Sequence, residues 1–117
     1  MTKKTNRVRV YRVMARTTNQ RMILFEQHDE NMLEYMRQLL REGAVEVDFI
    51  KENGVLRHAR GTLCSTLLSE NHALLAEHAM TRRHERVLTY YDLDCREWRS
   101  AAKERIIGFL ETLNIEH

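Results

Sequence analysis

The stretch from Ala44 to Leu63, AVEVDFIKENGVLRHARGTL, restricts the possible folds more than any other part of the chain. Val45, Val47 and Phe49 alternate with Glu46 and Asp48, which is the two-residue period of a strand with one covered face. Asn53-Gly54 then marks a hairpin, because short β-turns demand a positive φ that glycine adopts freely. Loop length can be tested by the pairs it creates. A two-residue loop sets Val47 opposite Arg60 and Phe49 opposite His58. A three-residue loop, Glu52 to Gly54 with Gly54 at positive φ, sets Val47 against Ala59, Ile50 against Leu56, Glu46 against Arg60 and Asp48 against His58. The second register matches apolar with apolar and acid with base, so it is the expected one. The return strand should run from Val55 to about Leu63.

An amphipathic helix is predicted just before this hairpin, at about residues 30–42. Met32, Leu33, Met36, Leu39 and Leu40 form one apolar stripe at helical spacing. Asp29 is the expected N-cap; Glu30 and Glu34 near the start and Arg37 and Arg41 near the end complement the helix dipole. Gly43 is the expected residue just past the helix end.

Upstream, Arg7-Val8-Arg9-Val10-Tyr11 alternates basic and apolar residues, and Val13 and Met14 break the phase, which places a bulge or strand end near Arg12. A polar turn at Thr17–Gln20 and the apolar run Met22–Phe25 complete an expected β-hairpin over residues 7–26. Residues 1–21 carry a charge of +7 with no acid, leaving −5 for the other 96 of the 117 residues. Such an arm can be an electrostatic footprint for phosphate backbones, or a solvated strand paired with the acidic helix that follows. Arg7 and Arg9 are its candidate nucleic-acid contacts.

Residues 65–86 read as a helical insertion, with a helix at about 69–84 that Ser69 can cap. It ends in the basic run Thr81 to Arg86, where Arg82 and Arg83 are further candidate phosphate contacts.

The chemistry-bearing segment is VLTYYDLDCREWRSAAKERII, Val87 to Ile107. A four-residue turn, Asp94–Glu97, places Leu93 opposite Trp98, Asp92 opposite Arg99 and Tyr90 opposite Ala101. Val87, Tyr91, Leu93 and Trp98 then form the expected core face. Tyr90, Asp92, Arg99 and Lys103 form the expected half-exposed face. An arginine beside a tyrosine can stack on a planar group or hold a phosphate through two hydrogen bonds. The alternative is structural: Asp92 and Arg99 as a cross-strand ion pair, with Tyr90 packed under the inserted segment.

YYDLDCREWRS followed by KERI resembles the end of a WYL-type domain, and LLREGAVEVDFIKENGVLRHARGTL (Leu39–Leu63) is similar to an earlier part of the same small WYL-like family. That family is frequent in Bacteroides-type genomes, phages and mobile elements. The resemblance implies a Sm-like, SH3-like β-barrel that binds nucleic acid or a nucleotide through aromatic and arginine side chains. Transferred to this chain, it marks Tyr90, Tyr91, Arg99 and Arg105. The family usually has an aromatic and then a basic residue after Trp-Arg-Ser, where this chain has Ala101 and Ala102.

The expectation is thus a single α+β domain over residues 1–117, with a basic hairpin (7–26) and an SH3-like/Sm-like antiparallel barrel core (30–110) that carries the insertion (65–86). The leading function is a non-enzymatic binding module of a bacterial or phage regulatory or defence-related system. Its ligand would be nucleic acid or a phosphorylated nucleotide, held by Tyr90, Arg99, Lys103 and Arg105. The alternative is a protein-interaction or oligomerising module, including a phage counter-defence protein that sequesters a host signal or blocks a host complex.

An enzyme is not expected, because no Ser/His/Asp or Cys/His partnership can be nominated. Neither metal nor cofactor is expected. His72, His78 and His84 fall six apart, which does not stack on a helix face, and Cys64 and Cys95 form no CxxC pair. No apolar run is long enough to cross a bilayer and the N-terminus lacks an apolar signal core, so no membrane partner and a cytoplasmic address are expected.

Overall fold

A computed structural model describes residues 10–17, 20–81 and 85–112; for residues 10–17, 78–81 and 112 it describes the backbone alone. The elements are β1 (Val10–Thr17), β2 (Gln20–Phe25), α1 (Glu30–Glu42), β3 (Ala44–Ile50), β4 (Leu56–Thr62), α2 (Glu70–Thr81), β5 (Val87–Asp92), β6 (Glu97–Ala102) and β7 (Ile106–Thr112). Short 3-10 turns at Ser65–Leu67 and Lys103–Arg105 precede α2 and β7. The strands form one sheet in the order β1-β2-β7-β3-β4-β5-β6, with antiparallel pairing throughout. The α+β assignment holds, and the last strand inserts between the N-terminal hairpin and β3.

α1 forms where its stripe predicts, and Asp29 accepts a hydrogen bond from the Met32 amide at 3.1 Å. Met32, Leu33, Met36 and Leu40 are fully buried against Val47, Phe49, Leu88, Ile106 and Phe109 in a single core. Two expectations about this helix change. Gly43 has extended backbone, so the chain runs straight into β3 without a left-handed turn. Arg37, expected to complement the dipole near the helix end, is buried and spans from Glu34 to the Val87 carbonyl, tying the helix to β5 and leaving Arg41 as the basic residue of the last turn. The carbonyls at the helix's C-terminal end find partners at the end of β4 and just past it: the Leu63 amide donates to Leu40 at 2.9 Å, and the buried Thr62 hydroxyl lies within reach of the Leu40 and Gly43 carbonyls.

The β3–β4 register is the one expected, with Val47 opposite Ala59, Glu46 opposite Arg60 and Asp48 opposite His58. Gly54 sits at φ 85°, in the left-handed region that the short loop requires. β1 and β2 pair from Thr17–Gln20 to Val10–Phe25, and the irregularity near Arg12 is a register shift between Val10 and Arg12. At Gly108 on β7 the neighbouring β2 backbone comes close. A Cβ there would lie 1.9 Å from the Ile23 carbonyl oxygen, so only glycine lets β2 approach. β7 also slips register against β3 just beyond this point.

The β5–β6 hairpin departs from expectation. Its turn is Leu93–Arg96, and Tyr90 pairs with Arg99, Tyr91 with Trp98 and Asp92 with Glu97. The turn starts one residue early, so each partner moves by two, and Tyr90 meets Arg99 instead of Ala101. A two-residue shift keeps Tyr90, Asp92 and Arg99 on one face and Tyr91 and Trp98 on the other, but the face that meets the core is that of Tyr90. The cause of the early turn is the Asp92 side chain, whose Oδ1 accepts from the Asp94 and Cys95 amides at 3.0 Å each. That local turn captures the chain one residue early, and Arg96 closes it at φ 57°. Tyr90 is buried, at 1% exposure, while Tyr91 and Trp98 lie half-buried on the outer face.

The insertion covers that outer face. Ser69 caps α2, with its carbonyl accepting from Ala73 at 2.8 Å. His72 packs on Tyr91 with ring centroids 4.6 Å apart and accepts a hydrogen bond from the Trp98 indole at 3.1 Å. Tyr91 and Trp98 meet edge to face at 5.5 Å. The tyrosine under the insertion is thus Tyr91 and not Tyr90.

Candidate functional site

The inward-facing side of the β5–β6 hairpin carries a polar cluster. Residues of one parity on three neighbouring strands converge there: Arg57 and Gly61 of β4, Tyr90 and Asp92 of β5, and Arg99 of β6. Gly61 and Asp92 are direct cross-strand partners, which brings Tyr90 across the glycine. A Cβ on Gly61 would lie 2.6 Å from the Tyr90 ring, so the glycine is what lets the ring lie flat against β4.

Asp92 is the hub, at 1% exposure. Arg57 donates to its Oδ2 at 3.0 Å, and Arg99 Nε lies 3.7 Å from the same oxygen. Its other oxygen holds the turn amides. Burial works against the charge, but the Cys95 and Asp94 amides and the Arg57 guanidinium hold the carboxyl below its ordinary range. Arg57 also reaches Cys95 Sγ at 3.4 Å, and Arg99 is bridged to exposed Glu97. Burial pushes the Tyr90 hydroxyl up to about 12, reinforced by Asp92 and opposed by Arg57 and Arg99, so it stays protonated.

Three buried donors in this cluster have no acceptor on the described protein: the Tyr90 hydroxyl, Arg57 Nε and Arg99 Nε. Leaving a buried donor unpaired costs about 1–3 kcal/mol. Together they suit an acceptor-only group, such as a phosphate or carboxylate oxygen.

The structure thus unites Tyr90 and Arg99 and adds Arg57 and Asp92. Arg105 is elsewhere, donating to the Lys51 carbonyl at 2.8 Å. Lys103 begins a 3-10 turn past the end of β6, so it does not continue the Tyr90–Arg99 face; its amide donates to the Arg86 carbonyl at 2.8 Å. Arg7, Arg9, Arg82 and Arg83 lie outside the described residues. The Asp92–Arg99 ion pair exists, but as a diagonal contact across a slipped register. Ala101 is buried opposite Leu88, so the first departure from the family pattern alters core filling, not an exposed contact. Arg57 was missed, although a signal was available. The β3–β4 register sets it opposite Phe49, so it is a cation on the apolar face.

A second acid–base group lies on the other face of β3–β4, where His58 is held by Asp48 through Nδ1 and by Glu46 through Nε2. Desolvation lowers its basicity, but the two carboxylates outweigh that and raise it above the ordinary histidine value. Among the described residues no cluster of three or more His, Cys, Asp or Glu side chains is placed to hold a metal ion, and Cys64 and Cys95 are free. No helix among them is long and apolar enough to cross a membrane.

Residues 33–107 match the family model WYL_2, described as having a Sm-like SH3 beta-barrel fold. No curated protein and no solved structure matches the chain significantly.

Proposed function

This chain belongs to the WYL_2 family, of Sm-like SH3 β-barrel fold, and on that premise we propose a non-enzymatic function: holding a phosphate-bearing ligand at the Arg57–Asp92–Arg99 cluster. The ligand is single-stranded nucleic acid or a phosphorylated nucleotide, and the family's fold is that of a small binding module. The observation that carries the reading is that the Tyr90 hydroxyl, Arg57 Nε and Arg99 Nε, all on residues of the cluster around Asp92, are buried donors without a hydrogen bond. Guanidinium groups match phosphate geometry through paired donors. Asp92 fixes both arginines. Glu97, exposed and bridged to Arg99, competes with an incoming anion.

Fluorescence anisotropy with a labelled single strand and with nucleotides, across a salt series, tests this. Affinity should fall with salt, and Arg99→Gln should weaken binding and flatten the salt slope by roughly one phosphate contact. Glu97→Gln should tighten it. If folded Arg57→Gln and Arg99→Gln proteins bind like the parent, the site assignment fails. If nothing binds even at low salt, the ligand class fails.

One observation favours a protein-interaction role instead. Leu67, Leu74 and Leu75 are 50%, 62% and 49% exposed on the inserted segment, where only Ala76 among the described α2 side chains is buried. Exposed leucines grouped this way suit a partner surface or a second copy. Sedimentation velocity of the parent and of Leu74→Glu separates the two: an oligomer that the substitution dissolves supports the interaction module.

A further inference from the structure

The relocation of Arg105 points to a second site, independent of the arginine cluster. A cavity of about 450 Å³ lies beside the end of β2, the end of β3 and the start of β7, walled by Leu24, Phe25, Ile50, Ile106 and Ile107. Phe25 and Ile106 are buried, and the other three are half-buried. The volume is within the range of pockets that take small organic ligands, about 300–1,000 Å³.

The polar lining is sparse: His28, Glu104 and Arg105. His28 is fixed by donating its Nε2 proton to the Ile106 carbonyl at 2.7 Å. Arg105 is fixed by a backbone carbonyl, that of Lys51, and has no carboxylate partner among the described residues. The carbonyl orients the guanidinium without neutralising it, so an oriented cation stands at the edge of an apolar hollow. A neutral apolar guest leaves that charge unanswered, and a cationic guest is repelled. Glu104, exposed on the same turn, opposes an anion in part.

We propose that this pocket binds a small apolar carboxylic acid, its hydrocarbon body against Leu24, Ile50 and Ile107 and its carboxylate on Arg105. The charge-assisted pair sets the preference for an acid, and the walls set the preference for an apolar body.

The test titrates the full chain with decanoate, decanol and decylamine, using calorimetry for affinity and amide NMR shifts for location. Decanoate should bind at least about tenfold tighter than decanol, the value of one charge-assisted hydrogen bond, and decylamine should bind weakest. Shifts should centre on Ile50 and on Glu104–Ile107. Arg105→Gln should reduce decanoate to the decanol level, and Glu104→Gln should tighten it severalfold. Ile107→Trp should fill the hollow and weaken every probe; should that variant not fold, Arg105→Gln decides alone. Equal affinities for decanoate and decanol, an unchanged Arg105→Gln, no binding, or shifts centred on Arg57, Tyr90 and Arg99 each overturn the proposal. Because the probe carries no phosphate and the readout is positional, failure here leaves the arginine cluster untouched.

Discussion

The β3–β4 and β5–β6 hairpins are neighbours in one sheet and close with loops of similar length, yet they are governed by different chemistry. β3–β4 turns on a glycine at positive φ, and its cross-strand pairs, Glu46–Arg60 and Asp48–His58, independently favour the same register. In β5–β6 no glycine dictates the turn. A side chain, Asp92, competes for the loop amides and wins, and a non-glycine residue, Arg96, takes the left-handed conformation to complete it. Where the backbone sets the turn, register follows from sequence pattern. Where a side chain sets it, the turn starts one residue early and every cross-strand partner moves by two.

The strongest way to break this contrast is Asp92→Ala. It removes the turn acceptor and leaves Arg57 and Arg99 without their shared carboxylate, so urea denaturation should show a loss of about 2–4 kcal/mol. Asp92→Asn, which keeps a turn acceptor, should lose less. If both variants cost the same, the turn amides are not what Asp92 contributes.

Gly61→Ala tests the seam between the hairpins. Its Cβ would strike the Tyr90 ring, so it should cost about 1–3 kcal/mol. The near-ultraviolet tyrosine signal should change with it. An unaltered spectrum would mean the ring has room to move and the glycine is not needed for it.

The two turn residues at positive φ should respond in opposite directions. Gly54→Ala introduces a Cβ at φ 85° and should destabilise by about 1 kcal/mol. Arg96→Gly relieves the same penalty at φ 57° and should stabilise by roughly 0.5–1 kcal/mol. Thermal melts distinguish these signs directly.

The smallest effects are those of pH, and they again divide the hairpins. His58 is raised in the folded state, so its contribution is full below the ordinary value of 6.5 and fades as pH rises through its folded value above that. Asp92 is depressed, so its contribution is full above the ordinary value of 3.8 and fades as pH falls through its folded value below that. NMR titration of the His58 ring should show the elevation, and Asp48→Asn should bring it back toward the ordinary value. An unmoved midpoint in that variant would assign the elevation to Glu46 alone.

Much of the fold could be read from local signals. The α1 stripe, the Asp29 cap, the β3–β4 register and the irregularity near Arg12 each depend on residues close in sequence or on a cross-strand code that repeats along the hairpin. The site was half legible. Tyr90 and Arg99 were recognisable as a pair of residue types, but their partners depend on a turn decided at Asp92, and their burial on which face of the sheet meets the core. Arg57 stands on β4, 35 residues before Asp92, and meets it only because β4 pairs with β5 across the insertion.

The sequence alone determined which segments become helix and strand, and it determined the β3–β4 register, because periodicity, capping and opposed charges act over a few residues. Tertiary structure alone decided which tyrosine enters the core, that Arg37 bridges to β5 and that Arg105 parts from Arg99 to edge an apolar hollow. Those outcomes depend on where buried donors and charges find partners from distant strands. That competition is settled only when the sheet closes over its core, since an unpaired polar group costs little in a solvated chain and much once water is excluded.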